Sequence, residues 1–479
     1  MYRIFWRAPG SRVTRTIAGA AAAAAALSLV APAEATHAAA SDHNKAQLAR
    51  LPRVHPASGT PHFPAFTSAV EQVRQLVQCG GTMYAVGRFS IIEQGSQTFR
   101  RNNAFSFSAT APFTITSWAP NANGVVNSIT FNSGNCSNAY LGGSFTKVGG
   151  IGAVNIAEVS TSARGRLVAG FGHFANKPVE TLASYQNHIL AGGYFTTING
   201  SSSSAYMASL NPRTGRNDGF VKLHISGHFT FPGVVRNGTR VYNQQISHSG
   251  RLDLVEGDFT SVGGKRRQQI FMLNLASRPT ATLTGWTSPR FDGSRGYPPR
   301  GFYYNCWRTE PFYIRAAAWS PDDRTVYLAT TGLKPWNSGG GFPLRGLCDA
   351  ASAFSATGSP PAFKWTNYTG CDSLYAAAGV ASAAFFAGHE RWSQNPDGCN
   401  RQGPGAIAAS GMEALNPATG HLLLNSQHRA LYTRDRGFGA DDMLTTSAGL
   451  WIASDNFRGA QMCDSVRNLA GICFLPFGP

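Results

Sequence analysis

Four consecutive side chains, His389, Glu390, Arg391 and Trp392, combine a base, an acid, a cation and a flat aromatic surface. They directly follow a predicted strand, and together they could bind a sugar and move protons on it. Neighbouring residues of a strand point to opposite faces, however, so they can serve one site only if the chain turns here. The segment therefore predicts either a ligand site or a network at a sheet edge that fixes the following loop at Asn395 and Pro396.

One interpretation of this region is an enzyme that acts on polysaccharides. Its catalytic set would be His389 or Glu390 together with Asp372, Arg391 and Tyr432. In a lyase, a histidine or tyrosine is the base and an arginine neutralises a uronate. The chain contains no Gly-x-Ser-x-Gly elbow, no His-Glu-x-x-His and no phosphate-binding loop.

Two further carboxyl groups, on Asp441 and Asp442, lie like that of Asp372 near the starts of predicted inner strands. Two carboxylates that face each other across a gap of about 5 to 9 Å can hydrolyse a glycoside. The same side chains could equally anchor turns, so a glycoside hydrolase and a structural role both remain open.

The elements that would position these residues form an internal repeat. A pattern of small, apolar and aromatic residues ending in Gly-x-Phe, or in a weaker version of it, occurs seven times at a mean spacing of about 61 residues. The best copies are 140–145, 190–195 and 255–259, with another at 85–89 and weaker ones at 327–331, 386–390 and 451–457.

One position of the repeat, the x of Gly-x-Phe, carries residues that could bind a ligand. Across the seven copies it is occupied by Arg88, Ser144, Tyr194, Asp258, Thr331, His389 and Asp455. If the repeats are arranged in a ring, these residues surround it. We therefore expect a ligand to contact Arg88, Tyr194 and Asp455, together with Trp392. A structural calcium ion could be held by Asp258, His389 and Asp455 if the ring is narrow. No other cofactor is expected.

Each repeat consists of short Val-, Ile-, Phe- and Tyr-rich segments bounded by Gly, Asn, Pro and Ser, which predicts strands. Four strands fit each unit, so we predict an all-β fold, a seven-bladed β-propeller with four-stranded blades. The last unit ends at a third strand near 472–475, and the segment 62–66 precedes the first unit. We expect this N-terminal segment to supply the missing outer strand and close the ring. We also expect the phenylalanine of each Gly-x-Phe motif to fill the space between blades.

The repeats resemble a known family. Delta-sixty or kelch-like repeats of secreted bacterial β-propellers are similar to three stretches of this chain, 142–150, 192–200 and 257–264. A group common in actinobacterial exported proteins resembles the later segments at 320–322, 347–349, 388–396 and 449–455. The resemblance implies the fold but no established activity, so it assigns no catalytic residue. The fifth unit departs most, with Thr330-Thr331 in place of the glycines and a Gly-rich insertion at 337–341.

The first forty residues have the features of a secretory signal peptide. Arg3, Arg7, Arg12 and Arg15 precede an uncharged Ala-rich run over 17–30 and small-x-small cleavage sites. The run is too short to span a membrane. We therefore predict a signal and processing region at 1–40, a linker at 41–60 and a single propeller at 61–479, released outside the cell.

The eight cysteines of an exported chain are expected to form disulfides. The sequence alone leaves 105 pairings open. The repeat register suggests four pairs: Cys79 with Cys136, Cys306 with Cys348, Cys371 with Cys399, and Cys463 with Cys473.

The chain carries a formal charge of +17. Removal of residues 1–40, with their four arginines and one glutamate, leaves +14. This charge favours anionic partners such as acidic polysaccharide or cell-wall polymers. No basic stripe with interleaved aromatics occurs, which argues against nucleic acid. The favoured hypothesis is a monomeric, non-catalytic binding propeller for extracellular carbohydrate or cell-surface material.

Overall fold

The computed structural model describes residues 51–65, 70–162, 164–228, 238–292, 306, 312–335, 346–434, 439–456, 463 and 469–478. The predicted signal peptide and the Gly-rich insertion at 337–341 lie outside these residues. The described part of the chain is all-β, with one short 3₁₀ helix at Pro289–Phe291. Within it, no helix is long and apolar enough to cross a membrane.

Seven antiparallel sheets follow one another along the described chain, and we number them 1 to 7. Their strands, in chain order, are Gln72–Cys79, Thr82–Arg88 and Ala104–Ser108 in sheet 1; Val125–Phe131, Asn138–Ser144 and Ile156–Ser160 in sheet 2; Val179–Tyr185, His188–Gly193 and Met207–Leu210 in sheet 3; Arg240–Ile246, Leu252–Asp258, Ile270–Asn274 and Thr282–Leu283 in sheet 4; Tyr313–Trp319, Thr325–Thr331, Ala350–Gly358 and Pro361–Tyr368 in sheet 5; Leu374–Val380, Ala383–Gly388 and Met412–Leu415 in sheet 6; and Ala440–Thr445, Gly449–Ser454 and Ile472–Pro476 in sheet 7.

Shorter strands form four small sheets beside these. They are Ile91–Gln94 with Gln97–Arg100, Lys147–Val148 with Ile151–Gly152, Ile225–Ser226 with Ser261–Val262 and Lys265–Arg266, and Trp392–Ser393 with Ile407–Ala408.

The prediction of four strands per unit needs correction for most of the units. Only sheets 4 and 5 have four strands in the described residues. In sheets 1, 2, 3 and 6 the fourth segment is reduced to isolated bridges, such as Phe107 to Ile115 and Val159 to Leu167. A fourth segment is therefore present, but it pairs too briefly to form a regular strand.

The seven sheets pack side by side through their first strands. The first strand of each sheet contacts the first strand of the next, and the first strand of sheet 7 contacts that of sheet 1. Seven apolar clusters among the described residues lie between neighbouring sheets. In the cluster between sheets 7 and 1, the ring centroids of Trp451 and Phe107 are 5.7 Å apart. Radially repeated sheets packed in this way make a β-propeller.

The Gly-x-Phe motifs lie at these contacts, as the sequence predicted. Phe145, Phe195 and Phe259 are buried in the clusters that each sheet shares with the preceding one. A Cβ on Gly192 would come within 2.5 Å of Cγ1 of Val241 in the next sheet, so the close approach of the two sheets requires glycine here.

The N-terminal segment lies beside the last strand of the chain. The N–H groups of Arg53, Ala57 and Phe63 donate hydrogen bonds to carbonyls of Pro476, Phe474 and Ala470, at 2.8, 2.8 and 2.9 Å. Isolated antiparallel bridges link Pro52 to Phe477 and His62 to Gly471. The segment thus pairs with the outer edge of sheet 7 in the antiparallel sense.

All eight cysteines are paired. The disulfides are Cys79–Cys136, Cys306–Cys348, Cys371–Cys399 and Cys463–Cys473, the same four pairs that the repeat register suggested. The first of them joins sheet 1 to sheet 2, because Cys79 ends the first strand of sheet 1 and Cys136 precedes the second strand of sheet 2.

Candidate functional site

A β-bulge interrupts the first strand of every one of the seven sheets near its beginning. At each bulge the pairing register with the second strand skips one residue. We call these seven residues the bulge ring: Arg74, Asn127, Glu180, Tyr242, Arg315, Tyr375 and Asp441. A bulge turns a side chain out of the regular alternation of its strand. Every member of the ring is polar.

Charged members of the bulge ring from non-adjacent sheets interact with each other. Arg74 of sheet 1 interacts electrostatically with Glu180 of sheet 3 and Asp441 of sheet 7. Arg315 of sheet 5 also interacts electrostatically with both of these carboxyl groups. Since sheets 3 and 5 are not neighbours, these interactions require the side chains to converge at the centre of the propeller.

Shorter contacts fix individual members of the ring. Nη1 of Arg74 donates a hydrogen bond of 2.6 Å to Oδ1 of Asn127. A third guanidinium, on Arg240 at the start of sheet 4, lies 3.5 Å from Oε2 of Glu180. Three arginines therefore lie near the two carboxyl groups of the ring, and a third carboxyl group, on Asp258, also interacts with Arg240.

Tyrosine rings lie directly beside these guanidiniums. Cζ of Arg240 is 5.0 Å from the ring centroid of Tyr194 and 5.1 Å from that of Tyr242. Cζ of Arg315 is 5.2 Å from the ring centroid of Tyr375. These distances allow cation–π attraction, and the aromatic faces can also pack against a sugar ring.

Burial alters the protonation of both carboxyl groups in the ring. It raises the pKa of Asp441 to about 7, although Arg74 acts in the opposite direction. Burial also raises the pKa of Glu180, against the lowering effect of Arg240 and Arg74. Asp441 therefore changes charge near neutral pH, in the middle of an arginine cluster.

The predicted ligand-binding residues Arg88, Tyr194 and Asp455 lie beside the bulge ring. The end of a second strand is next to the start of the first strand, because the two are antiparallel. Arg88 and Asp455 both pair with Gln72, and Tyr194 stacks under Arg240. Trp392, the fourth predicted ligand residue, lies in the small sheet beside sheet 6.

Part of the predicted catalytic set is gathered at the same end of sheet 6. Nε and Nη2 of Arg391 donate to the two carboxylate oxygens of Asp372, at 2.6 and 2.7 Å. Nδ1 of His389 lies 3.4 Å from the hydroxyl of Tyr375, so His389 borders the bulge ring.

The other two members of that set are enclosed. Glu390 is fully buried close to Glu413, and burial together with this like charge raises its pKa well above the usual range. Tyr432 donates its hydroxyl hydrogen bond to the carbonyl of Pro52 and packs against Phe385 at 5.0 Å. Neither side chain is exposed to a polymer at the surface.

The residues proposed to hold calcium have separate neighbours. Asp258 pairs with Arg240, His389 contacts Tyr375, and Asp455 pairs with Gln72. In the part of the chain that the structure describes, no group of three or more His, Cys, Asp or Glu side chains is arranged to hold a metal ion.

Most of the bulge ring was not predicted from the sequence, although a signal was present. When the first strands are aligned, a polar residue interrupts the apolar pattern at the second or third position of each strand, as in Val73-Arg74-Gln75 and Val179-Glu180-Thr181. Of its members, the sequence analysis singled out only Asp441, as a carboxyl group near the start of a predicted inner strand.

Comparisons with known proteins assign no function to the chain. No family model and no curated protein matches the chain. The chain is similar to the solved WD40 β-propeller domain of Doa1, with 10% identity over 87% of this chain and 95% of that one, at a TM-score of 0.42. For U3-55K the identity is 8% over 88% of this chain and 99% of that one, at a TM-score of 0.44. For the Cps50 (Swd1) β-propeller domain of Myceliophteria thermophila the identity is 9% over 64% of this chain and 76% of that one, at a TM-score of 0.37. The assignment of the fold rests on the strand pairing and sheet packing described above.

Proposed function

We propose that this protein is a secreted, non-catalytic β-propeller that binds an extracellular ligand, carbohydrate or cell-surface material, at the bulge-ring end of its central channel. The observation that carries the proposal is the convergence of Arg74, Arg240 and Arg315 with the rings of Tyr194 and Tyr375. Ligand sites are commonly built where such polar and aromatic groups converge in a concave region.

The proposal includes a closed ring of seven blades. Contacts between the first strands of sheets 7 and 1, and an apolar cluster between those sheets, support closure. The hydrogen bonds of Arg53, Ala57 and Phe63 to the last strand support an N-terminal segment that completes the seventh blade. A closed ring holds all seven bulges in fixed positions, which a binding site needs.

Location outside the cell is supported by two independent features. The N-terminal 40 residues have the charge and apolar pattern of a secretory signal peptide. Four disulfides pair all eight cysteines, as in Cys79–Cys136, and such bonds persist in oxidising compartments. A released, monomeric protein with no membrane span is the form we propose.

A second candidate function, a glycoside hydrolase or uronate-type lyase, is favoured by one specific observation. His389 lies beside Tyr375 of the bulge ring, while Arg391 and Asp372 form a two-point ion pair at the same sheet end. In a proton transfer His389 could act as the base, with the hydroxyl of Tyr375 beside it. The existing partner of Arg391, Asp372, already neutralises the arginine that a lyase would direct at its substrate.

Incubation of the mature protein with neutral and acidic polysaccharides and bacterial wall fractions tests both functions. Retention of the protein on one of these materials, without new oligosaccharides in the soluble phase, is the expected result. New oligosaccharides, detected by mass spectrometry and lost on replacement of His389 by Ala and Glu390 by Gln, would establish the enzyme instead. Absence of binding to every material would contradict the binding function.

A further inference from the structure

A cavity of about 640 Å³ lies between sheets 3 and 4, and no member of the bulge ring lines it. One wall is the connection 202–206 between the second and third strands of sheet 3. The other wall comes from the segment 219–227 that leads to sheet 4, together with Thr239. Thr239 directly precedes the first strand of sheet 4, so the cavity lies at the same end of the sheets as the bulge ring. Its volume is in the range of small-molecule sites.

Backbone hydrogen bonds hold both walls of the cavity. The N–H of Tyr206 donates to the carbonyl of Phe195 at 2.8 Å, and Tyr206 has a left-handed backbone, with φ of 69°, that a bulky residue seldom adopts. In the second wall, the N–H of Gly263 donates to the carbonyl of His224 at 2.8 Å. The cavity is therefore enclosed by segments that are paired on both sides.

Hydroxyl groups, an ammonium group and an imidazole ring line the cavity. The side chains that carry them include Ser202, Ser203, Thr239, Tyr206, Lys222 and His224. None of the described lining residues is Asp, Glu or Arg. Such a lining offers many hydrogen-bond donors and one permanent positive charge.

The positive charge of Lys222 is not balanced by a carboxyl group of the described lining. Within the described part of the chain, Nζ of Lys222 makes no ion pair or hydrogen bond. Its side chain lies over Gly219, where a Cβ would be 3.0 Å from Cε of the lysine. Carboxyl groups on adjoining segments have their own partners, because Asp218 lies 2.7 Å from a histidine nitrogen of sheet 3 and Asp258 interacts with Arg240. Lys222 is exposed, so an anion can reach it from solvent.

We infer that this cavity binds a tetrahedral oxyanion ester, a phosphate or sulfate group carried by a sugar. The inference adds a second site to the proposed binding function and does not depend on the bulge ring. A lysine binds such a group as a point charge, whereas the guanidinium fork that matches a flat carboxylate is missing from the described lining. The serine and threonine hydroxyls can donate to the other ester oxygens, and the ring of Tyr206 offers a face to the sugar.

The test measures equilibrium binding of the wild-type protein to four monosaccharides that differ only in the group at their last carbon. They are glucose 6-phosphate, glucose 6-sulfate, glucuronate and glucose. We expect one of the two esters to bind about tenfold or more tighter than glucuronate and glucose. A preference for the phosphate would identify a phosphoester-bearing ligand, and a preference for the sulfate would identify a sulfated glycan.

Replacement of Lys222 by Gln locates the binding. We expect this variant to lose about tenfold or more of its affinity for the preferred ester, because a charge-assisted hydrogen bond is removed. The matched control is Lys147→Gln, which removes an equal charge from an exposed position at the corresponding end of sheet 2 and should bind like the wild type. Lys222 is exposed, so its replacement should leave the fold intact.

Three outcomes overturn the inference. They are equal affinities for the esters and glucuronate, equal ester affinities of the wild type and Lys222→Gln, and absence of binding to all four monosaccharides. Each of them leaves binding of a polysaccharide at the bulge ring intact. Conversely, Arg315→Gln should bind the ester as the wild type does, so the two sites can fail separately.

Discussion

Oδ2 of Asp442 in sheet 7 accepts a hydrogen bond of 2.8 Å from the backbone N–H of Leu76 in sheet 1. The same position of the repeat makes the same contact elsewhere: Gln75 accepts from the N–H of Ile129 at 2.6 Å. One side chain just after each of these bulges thus binds the first strand of the following sheet. The sheets that are furthest apart in sequence are joined by the same device as sheets 1 and 2.

Replacement of Asp442 by Ala should destabilise the protein by about 1–3 kcal/mol, because it leaves the buried N–H of Leu76 without its acceptor. Asp442→Asn keeps an acceptor oxygen and should lose less. Urea unfolding of both variants measures the difference. Gln75→Ala removes the equivalent contact between sheets 1 and 2 and serves as the matched comparison. An Asp442→Ala protein as stable as the wild type would show that this contact does not hold sheets 7 and 1 together.

Replacement of Phe63 by Ala should lower the free energy of unfolding by about 3 kcal/mol. Phe63 is buried between sheets 7 and 1, with its ring centroid 6.0 Å from that of Phe89. The matched control is Phe174→Ala, since Phe174 is 46% exposed and its loss should change the free energy of unfolding by less than about 0.5 kcal/mol. Equal unfolding midpoints for the two variants would contradict a structural role of the N-terminal segment.

Removal of the Cys79–Cys136 disulfide by double replacement with Ser should cost about 4 kcal/mol, because the closed loop is 57 residues long. Removal of Cys463–Cys473, which closes only 10 residues, should cost about 3 kcal/mol. Thermal unfolding in non-reducing buffer compares the two variants. A larger loss for the shorter loop would show that loop entropy does not determine the contribution of these bonds.

Replacement of Glu413 by Gln should reduce the loss of stability that occurs as the pH rises. Burial raises the pKa of Glu413 to about 7, from an ordinary value near 4.5, so the folded state holds this proton more tightly than the unfolded state. Wild-type stability therefore falls between about pH 4.5 and pH 7, by an amount on the order of 3 kcal/mol for this group.

The measurement is urea unfolding of the wild type and Glu413→Gln at about pH 5 and about pH 8. Between the lower and the higher pH, the free energy of unfolding should fall less for the variant than for the wild type. Asp397→Asn, which changes an exposed carboxyl group in the neighbouring loop, should follow the wild type. Parallel pH dependence of wild type and Glu413→Gln would exclude Glu413 as a source of the loss.

Much of the fold could be predicted from the sequence because the repeats are regular. The spacing of the Gly-x-Phe copies indicated where strands occur and which cysteines, such as Cys79 and Cys136, come close together. The same regularity predicted that Phe145 and its equivalents pack between sheets. The number of regular fourth strands was overestimated. Turn residues after a third strand show where the chain reverses direction, but not how many residues of the next segment pair with that strand.

The candidate site was predicted less well because it depends on the bulges. A bulge shifts the alternation of a strand by one residue, so spacing alone cannot say which side chain points to the centre. Arg74 and Arg315 are 241 positions apart in the chain and meet the same carboxyl groups only when the sheets are arranged around a common axis. The aligned residues Arg88 and Tyr194 lie at the same end of the sheets as the bulge ring, but their spacing did not indicate the groups at its centre.

Ligand affinity of Arg315→Gln tests most directly whether the bulge ring is the binding site. Its control is Arg324→Gln, because Arg324 lies in the turn at the opposite end of sheet 5 and its side chain is 85% exposed. For the polysaccharide retained by the wild type, we predict a loss of about tenfold or more in Arg315→Gln and no change in Arg324→Gln, at the same pH and ionic strength. Equal affinities of the wild type and a folded Arg315→Gln protein would contradict binding at the bulge ring.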